Sequence, residues 1–209
     1  RLDGRATDAD RVDQLAATVG FVFQNPDDQL FERSVEREVS FGPRNLGFSA
    51  PEVATRVERC LAAVGLLEER ATNPYDLDLS RRKLVSLASV LAMDPAILVL
   101  DEPTTGQDPE GIARVGAVIA AWRAAGRTAI AITHDMEFAA RSFERIVVMR
   151  SGTVIADGPP AAVLTVANDA LLASTGINAP PVARVAAAAG LPVTPLDVDG
   201  LIAALRARA

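Results

Sequence analysis

Apolar residues in this chain fall into short unbroken runs, separated by stretches in which they recur at helical spacing. Val19 to Phe23 reads as a short buried strand. Gln24 and Asn25-Pro26 close it, because a residue before proline is pushed out of helical space. Upstream, Arg1 to Gly4 reads as a strand end and turn, followed by the polar stretch Arg5 to Asp13. Ser34 is placed to cap a short helix with Glu36 and Glu38 in its first turn, where acids favour the helix dipole. Ser49 and Glu52 form a capping box with Pro51 in the first turn. Val53, Val57, Cys60, Leu61 and Val64 then follow helical spacing until Gly65 stops the helix. Another helix is expected from about Leu79 to Met93, with Leu84, Leu87, Ala88 and Leu91 on one face, broken by Asp94-Pro95.

Strands and helices then alternate. Ile97 to Leu100 is an aliphatic strand of the kind found inside a parallel sheet covered on both faces. A helix from Pro109 to Ala125 ends at Gly126, and Ala129 to Thr133 reads as a second buried strand before a helix from about Met136. Ile146 to Met149 and Val154 to Ala156, joined through Ser151-Gly152, read as a hairpin. Beyond Gly158 the chain is rich in alanine and proline, with helical pieces near 161–166, 181–189 and 198–208. The expected architecture is an α/β unit over 1–157 that encloses a helical insertion at about 27–95, and a helical extension over 158–209.

Composition narrows the function classes. A chain of 209 residues, nearly half of them apolar, can bury a full core. The net charge of −6 advertises no basic face and argues against a nucleic-acid partner. No apolar run approaches the roughly 20 residues of a membrane span. The single Cys60 cannot form an internal disulfide, which suits a reducing cytosol. The chain starts at Arg1 rather than Met, and it holds one lysine, Lys83, among 21 lysines and arginines.

The strongest chemical signal is Ile97-Leu98-Val99-Leu100-Asp101-Glu102-Pro103-Thr104. A buried strand ending in two acids places both carboxylates at the carboxyl edge of a parallel sheet, where such folds bind ligands. Asp101 is suited to a magnesium shell and Glu102 to taking a proton from an attacking water. Gly106-Gln107-Asp108-Pro109 follows directly. The next strand ends in His134-Asp135, so the only histidine of the chain belongs to the same sheet edge, in reach of a terminal phosphate. Val22-Phe23-Gln24 puts an amide at a third strand end, able to reach the metal or orient the water.

These residues in this order resemble an ATP-binding-cassette (ABC) ATPase over about Arg1 to Asp157. The resemblance implies a Q-loop at Gln24, a signature within Asp78 to Lys83, a Walker B at Leu100-Asp101-Glu102-Pro103, a D-loop at Gly106-Gln107-Asp108 and a switch histidine at His134. Phe23 to Phe31 and Phe41-Gly42-Pro43-Arg44-Asn45-Leu46-Gly47, with Pro180-Pro181-Val182-Ala183-Arg184 in the tail, look like the ATPase subunits of energy-coupling-factor (ECF) importers of vitamins, cobalt or nickel. The implied fold is a P-loop NTPase (RecA-like) α/β fold with a mainly parallel sheet. ATP and magnesium are the implied cofactors. The implied partners are a second ABC ATPase subunit, in a homo- or heterodimer, an ECF transmembrane subunit and a substrate-binding membrane subunit. The implied location is the cytoplasmic face of the cell membrane, with Asn25 to Phe41 as the surface offered to the membrane subunit.

Two departures stand against that pattern. No Gly-x-x-x-x-Gly-Lys-Ser/Thr loop occurs in the 209 residues, and the only lysine follows Arg81-Arg82. The reading is therefore of a chain lacking its N-terminal strands and phosphate loop, expected to bind ATP poorly by itself. The family's Leu-Ser-x-Gly-Gln falls on Leu77-Asp78-Leu79-Ser80-Arg81, with an alternative register at Leu79-Ser80. In the family this segment meets the γ-phosphate held by the opposing subunit, so Asp78, Ser80 and Arg81 are assigned there, and Asp108 is assigned to signalling across the dimer. Asp78 brings a negative charge towards an anion, and Ser80 replaces a glycine, so slow hydrolysis is expected at that site. Two readings stay open, an ATPase energising an ECF-type importer and a catalytically degenerate subunit with a structural role. A soluble ABC protein acting on DNA or ribosomes is disfavoured by the acidity.

Overall fold

The computed structural model describes Leu2, Gly4, Ala6, Thr7 and residues 11–208. Of the strand end and turn read at Arg1 to Gly4, Arg1 and Asp3 lie outside the described residues, as do Arg5 and residues 8–10 of the polar stretch after it, while Leu2 makes an isolated bridge and Gly4 a turn. The chain divides into two compact units, Arg1–Ile132 and Thr133–Ala209.

In the first unit a short helix, α1 (Val12–Ala16), which the polar sequence does not announce, precedes strand β1 (Val19–Val22). Helices α2 (Val35–Asn45), α3 (Ala50–Val64) and α4 (Leu79–Met93) follow, then β2 (Ile97–Asp101), α5 (Pro109–Ala124) and β3 (Thr128–Ile132). Local chemistry sets the helix ends. Ser34 accepts from the Arg37 N–H at 3.3 Å, and the Ser49–Glu52 capping box starts α3. Gly65 closes α3 at φ 71, where an added Cβ would strike the Arg114 guanidinium. Asp94 ends α4 in the same left-handed conformation at φ 64, which aspartate tolerates better than bulkier residues.

The three strands form a parallel sheet in the order β1-β2-β3. Val22 stands opposite Leu100, Leu100 opposite Ala131, and Asp101 opposite Ile132. Helix α4 is buried on more than one face, with Leu84, Val85, Leu87, Ala88, Val90 and Leu91 all inside. Each of these leucines and valines contributes roughly 1.5–3 kcal/mol of hydrophobic stabilisation. It passes so close to the sheet that a Cβ at Gly20 would lie 2.4 Å from Val90 Cγ1. The aliphatic run of β3 predicts a buried strand, but Ile130 and Ile132 are 48% and 56% exposed. Exposed Thr128, Ile130 and Ile132 alternate with half-buried Ala129 and Ala131, so it is one face of β3 that is left uncovered.

The second unit holds α6 (Met136–Ser142), an antiparallel hairpin of β4 (Ile146–Arg150) and β5 (Thr153–Gly158), and helices α7 (Pro160–Val163), α8 (Asp169–Ala173), α9 (Pro181–Ala188) and α10 (Val198–Arg208). Its core joins Ala140 and Val148 to Val163, Leu164, Leu172 and Ala179. The hairpin thus packs with the C-terminal helices, and the two compact units meet in the chain between Ile132 and Thr133.

Candidate functional site

Three parallel strands bring their carboxyl ends to one edge of the sheet. Gln24 follows Val22 by two residues and Glu102 follows Leu100 by two, and Val22 and Leu100 are register partners. Gln24 is exposed, whereas Asp101 and Glu102 are half-buried. The third strand ends at Ile132, opposite Asp101, and His134 lies two residues further on, in the second unit. There Thr133 Oγ1 accepts from the Asp135 N–H at 3.0 Å, and Asp135 caps α6 by accepting from the Phe138 N–H at 2.9 Å.

Glu102 has a left-handed backbone, φ 45. For a non-glycine residue that conformation costs on the order of 1–3 kcal/mol and persists only where neighbours enforce it. Its N–H donates to the Ile132 carbonyl at 2.8 Å, so β3 fixes the turn. Thr105 Oγ1 donates to the Glu102 carboxylate at 3.3 Å. Lys83, on α4, donates from Nζ to the Glu102 carbonyl at 3.1 Å.

The amino end of α4 meets the loop after the acid pair. Asp78 caps the helix, its Oδ1 accepting from the Arg81 N–H at 2.9 Å. Arg81 pairs with Glu69 at 2.8 Å and lies 3.6 Å from Asp78. The Ser80 hydroxyl donates to Gln107 Oε1 at 2.6 Å and accepts weakly from the Asp108 N–H at 3.4 Å. Asp108 caps α5, accepting from the Gly111 N–H at 2.6 Å. Asp78, Ser80, Arg81 and Asp108 therefore gather around one junction, distinct from the strand tips that carry Gln24, Asp101 and Glu102.

The segment after Gln24 is strapped to α4. Gln29 accepts from the Phe23 N–H at 3.2 Å and donates to the Ser86 carbonyl at 2.9 Å and Ser89 Oγ at 3.1 Å. Asp27 pairs with Arg82 at 2.9 Å. Further along, the buried Glu38 carboxylate accepts from the N–H groups of Phe31 at 2.9 Å and Glu32 at 2.7 Å. Sequence reasoning gave Gln29, Lys83 and Gln107 no role of their own, although Gln29 and Gln107 fall inside the motifs that carry the family resemblance. The signal at Lys83 was its being the one lysine among 21 lysines and arginines.

A parallel sheet with an amide and an acid pair on its carboxyl edge, and a helix-rich insertion between the first two strands, belongs to the P-loop NTPase class of α/β folds. A family model described as ABC transporter matches residues 1–105. A putative ABC transporter ATP-binding protein of Methanosarcina acetivorans is 40% identical over 185 residues, 88% of this chain and 30% of that protein. The energy-coupling factor transporter ATP-binding protein EcfA of Carboxydothermus hydrogenoformans is 37% identical over 180 residues, 86% of this chain and 66% of that one. Among solved structures, cbiO1 from Clostridium perfringens, described as part of the ABC transporter complex cbiONQ, superposes with a TM-score of 0.67 at 32% identity. That match covers 82% of this chain and 68% of the other. The chain belongs to the ABC transporter family. It spans between 30% and 66% of the length of these two curated relatives.

Proposed function

We propose that this chain is the ATP-hydrolysing subunit of an ECF-type importer, with Glu102 as the base that takes a proton from the attacking water. The observation that carries this reading is the shared strand-tip edge, where Gln24 and the Asp101-Glu102 pair advance equally beyond the register partners Val22 and Leu100. In this assignment Asp101 and Gln24 serve magnesium, and His134 senses the γ-phosphate. Asp78, Ser80 and Arg81 meet the nucleotide of the opposing subunit, and Asp108 signals across the dimer.

The donor set fits magnesium. Magnesium suits such a place because it is held by one or two carboxylates together with substrate phosphates and water. When bound it neutralises charge developing on the phosphates. The residues of the chain supply the rest: Gln24 orients, Glu102 accepts the proton, and Thr105 with the Ile132 carbonyl holds Glu102 in place.

The partners in this reading are a second ABC ATPase subunit and the transmembrane and substrate-binding subunits of the importer, at the cytoplasmic face of the membrane. No helix among the described residues is long and apolar enough to cross a membrane. Asn25 to Phe41 is the surface for the transmembrane subunit. It exposes Phe31 and Phe41, stacked edge to face at 4.7 Å, an apolar pair that a partner would cover. Helix α2 also borders a groove of about 380 Å³, lined by Glu36, Ser40, Arg44, Phe48, Val53 and Val57 among others.

One observation favours the second reading, a catalytically degenerate subunit: the signature presents Asp78, Leu79 and Ser80, and Ser80 is committed to Gln107. A single experiment separates the two. The protein is expressed from its full coding sequence with its partner subunits, and ATP binding is measured by calorimetry beside turnover. The catalytic reading expects Glu102→Gln to keep ATP binding and lose about 10²–10⁴-fold in turnover, the range for a general base. Turnover unchanged by Glu102→Gln removes Glu102 as the base, and the absence of turnover before substitution selects the degenerate reading.

A further inference from the structure

The one lysine of the chain is buried beside the acid pair, and the chemistry assigned above does not use it. Lys83 is 7% exposed, on a helix whose remaining buried positions are apolar or serine. A buried ammonium needs a partner, and here the partner is a backbone carbonyl: Nζ donates to the Glu102 oxygen at 3.1 Å. Burial lowers the affinity of Lys83 for its proton, and the Glu102 and Asp101 charges oppose that change.

We propose that Lys83 is a positioning residue for the reaction, acting through Glu102: its ammonium clamps the Glu102 carbonyl and thereby holds the acid in the left-handed backbone that aims its carboxylate. The inference rests on the assignment of Glu102 as the base. Three contacts support it together. The Glu102 N–H is tied to Ile132 on β3, the carboxylate is tied to Thr105, and the carbonyl is tied to α4 through Lys83. With φ at 45, Glu102 occupies a conformation that a non-glycine residue leaves when released. Removing the clamp on the carbonyl side frees the peptide that follows the acid, while the strand register that delivers Asp101 stays intact.

The choice of lysine fits this role. Its ammonium is a compact point charge on a flexible stem, able to reach a single carbonyl, whereas the planar guanidinium is built for two-pronged contacts with carboxylates and phosphates. Apart from His134, every other basic side chain in the sequence is arginine. Lys83 also borders a small cavity shared with Val22, Phe23, Leu100, Asp101 and Gln107, on the side of the strand tips.

The test compares ATP turnover by the assembled transporter carrying Lys83→Met, Lys83→Arg, Glu102→Gln and the Lys83→Met/Glu102→Gln pair. Lys83→Met is expected to lower kcat about 10- to 100-fold while changing KM for ATP less than about threefold, because binding groups stay in place and only the base is loosened. Lys83→Arg, which keeps a long cationic donor, should recover at least half of the logarithmic loss. The double variant should turn over no more slowly than Glu102→Gln alone, since Lys83 acts through that carboxylate. A Lys83→Met kcat within twofold of the parent overturns the proposal, as does an additive loss in the double variant, which is the mark of a merely structural lysine. If Lys83→Met does not fold, Lys83→Gln replaces it with the same outcomes. Should Glu102→Gln leave turnover unchanged, the base assignment fails; should Glu102→Gln abolish turnover while the lysine variants do nothing, this inference fails alone.

Discussion

Replacing Asp78 by serine separates the charge at the amino end of α4 from its capping role. Asp78 accepts from the Arg81 N–H at 2.9 Å, and serine caps a helix about as well as aspartate, so α4 should lose only a few tenths of a kcal/mol. The charge is another matter if this helix end faces a phosphate of the opposing subunit. Two like unit charges about 4 Å apart repel by roughly 1 kcal/mol in water and about 4 kcal/mol at an effective dielectric near 20. The Asp78 side chain is 64% exposed and has Arg81 at 3.6 Å, which places the relief towards the lower figure, about 1–2 kcal/mol. That is roughly a 5- to 30-fold change in an equilibrium constant. The assay is ATP-driven association of the ATPase subunits by sedimentation velocity, in a Glu102→Gln background so that nucleotide is not consumed. Asp78→Ser should lower the ATP concentration for half association by about 5- to 30-fold, and the gap should narrow in higher salt because exposed charges are screened. Identical ATP dependence of the two forms would refute the placement of Asp78 opposite an anion.

Two further outcomes test how the site is supported. Glu38→Ala leaves the Phe31 and Glu32 N–H groups without their acceptor and should cost about 2–4 kcal/mol in urea unfolding, whereas Glu38→Gln, which keeps one oxygen, should cost less; equal effects would contradict the role of that carboxylate as a latch. Asp94 is hydrogen-bonded to Arg127, and that bond, with the Arg127 and Arg56 charges, holds its carboxyl below the usual range against the opposing effect of burial. A depressed acid stabilises the fold above the ordinary carboxylate range and ceases to do so as pH falls through its folded value. The stability gap between the parent and Asp94→Asn, about 1–3 kcal/mol at pH 7, should therefore close on acidification below about pH 4, and a gap constant to pH 3 would exclude this linkage.

How much of this was legible depended on whether a feature is local. Helix ends set by a single side chain were readable: the Ser49–Glu52 box, Gly65 in its left-handed turn and the Asp94-Pro95 break all stand where the residues put them. The edge shared by Gln24 and the acid pair was readable for a different reason. Successive parallel strands joined by helical crossovers all run the same way, so their carboxyl ends must fall on one side of the sheet. What a strand packs against is not local. The aliphatic run at Ala129 to Ile132 specifies a strand, but burial depends on the neighbours a strand finds, and Ile130 and Ile132 remain uncovered. The hairpin of β4 and β5 follows the same rule, since its sequence gives no sign that Val148 will share a core with Leu164 and Leu172. Lys83 shows the limit most clearly. Helical spacing places it beside the Leu84–Leu87–Leu91 face, where a lysine ordinarily extends to solvent. It is buried because α4 is wrapped on several sides by α2, α3 and β1, and because the carbonyl of a strained residue nineteen positions later lies within reach. A pattern of apolar positions encodes the faces of an element, and the partner of a buried charge is fixed only when distant elements close around it.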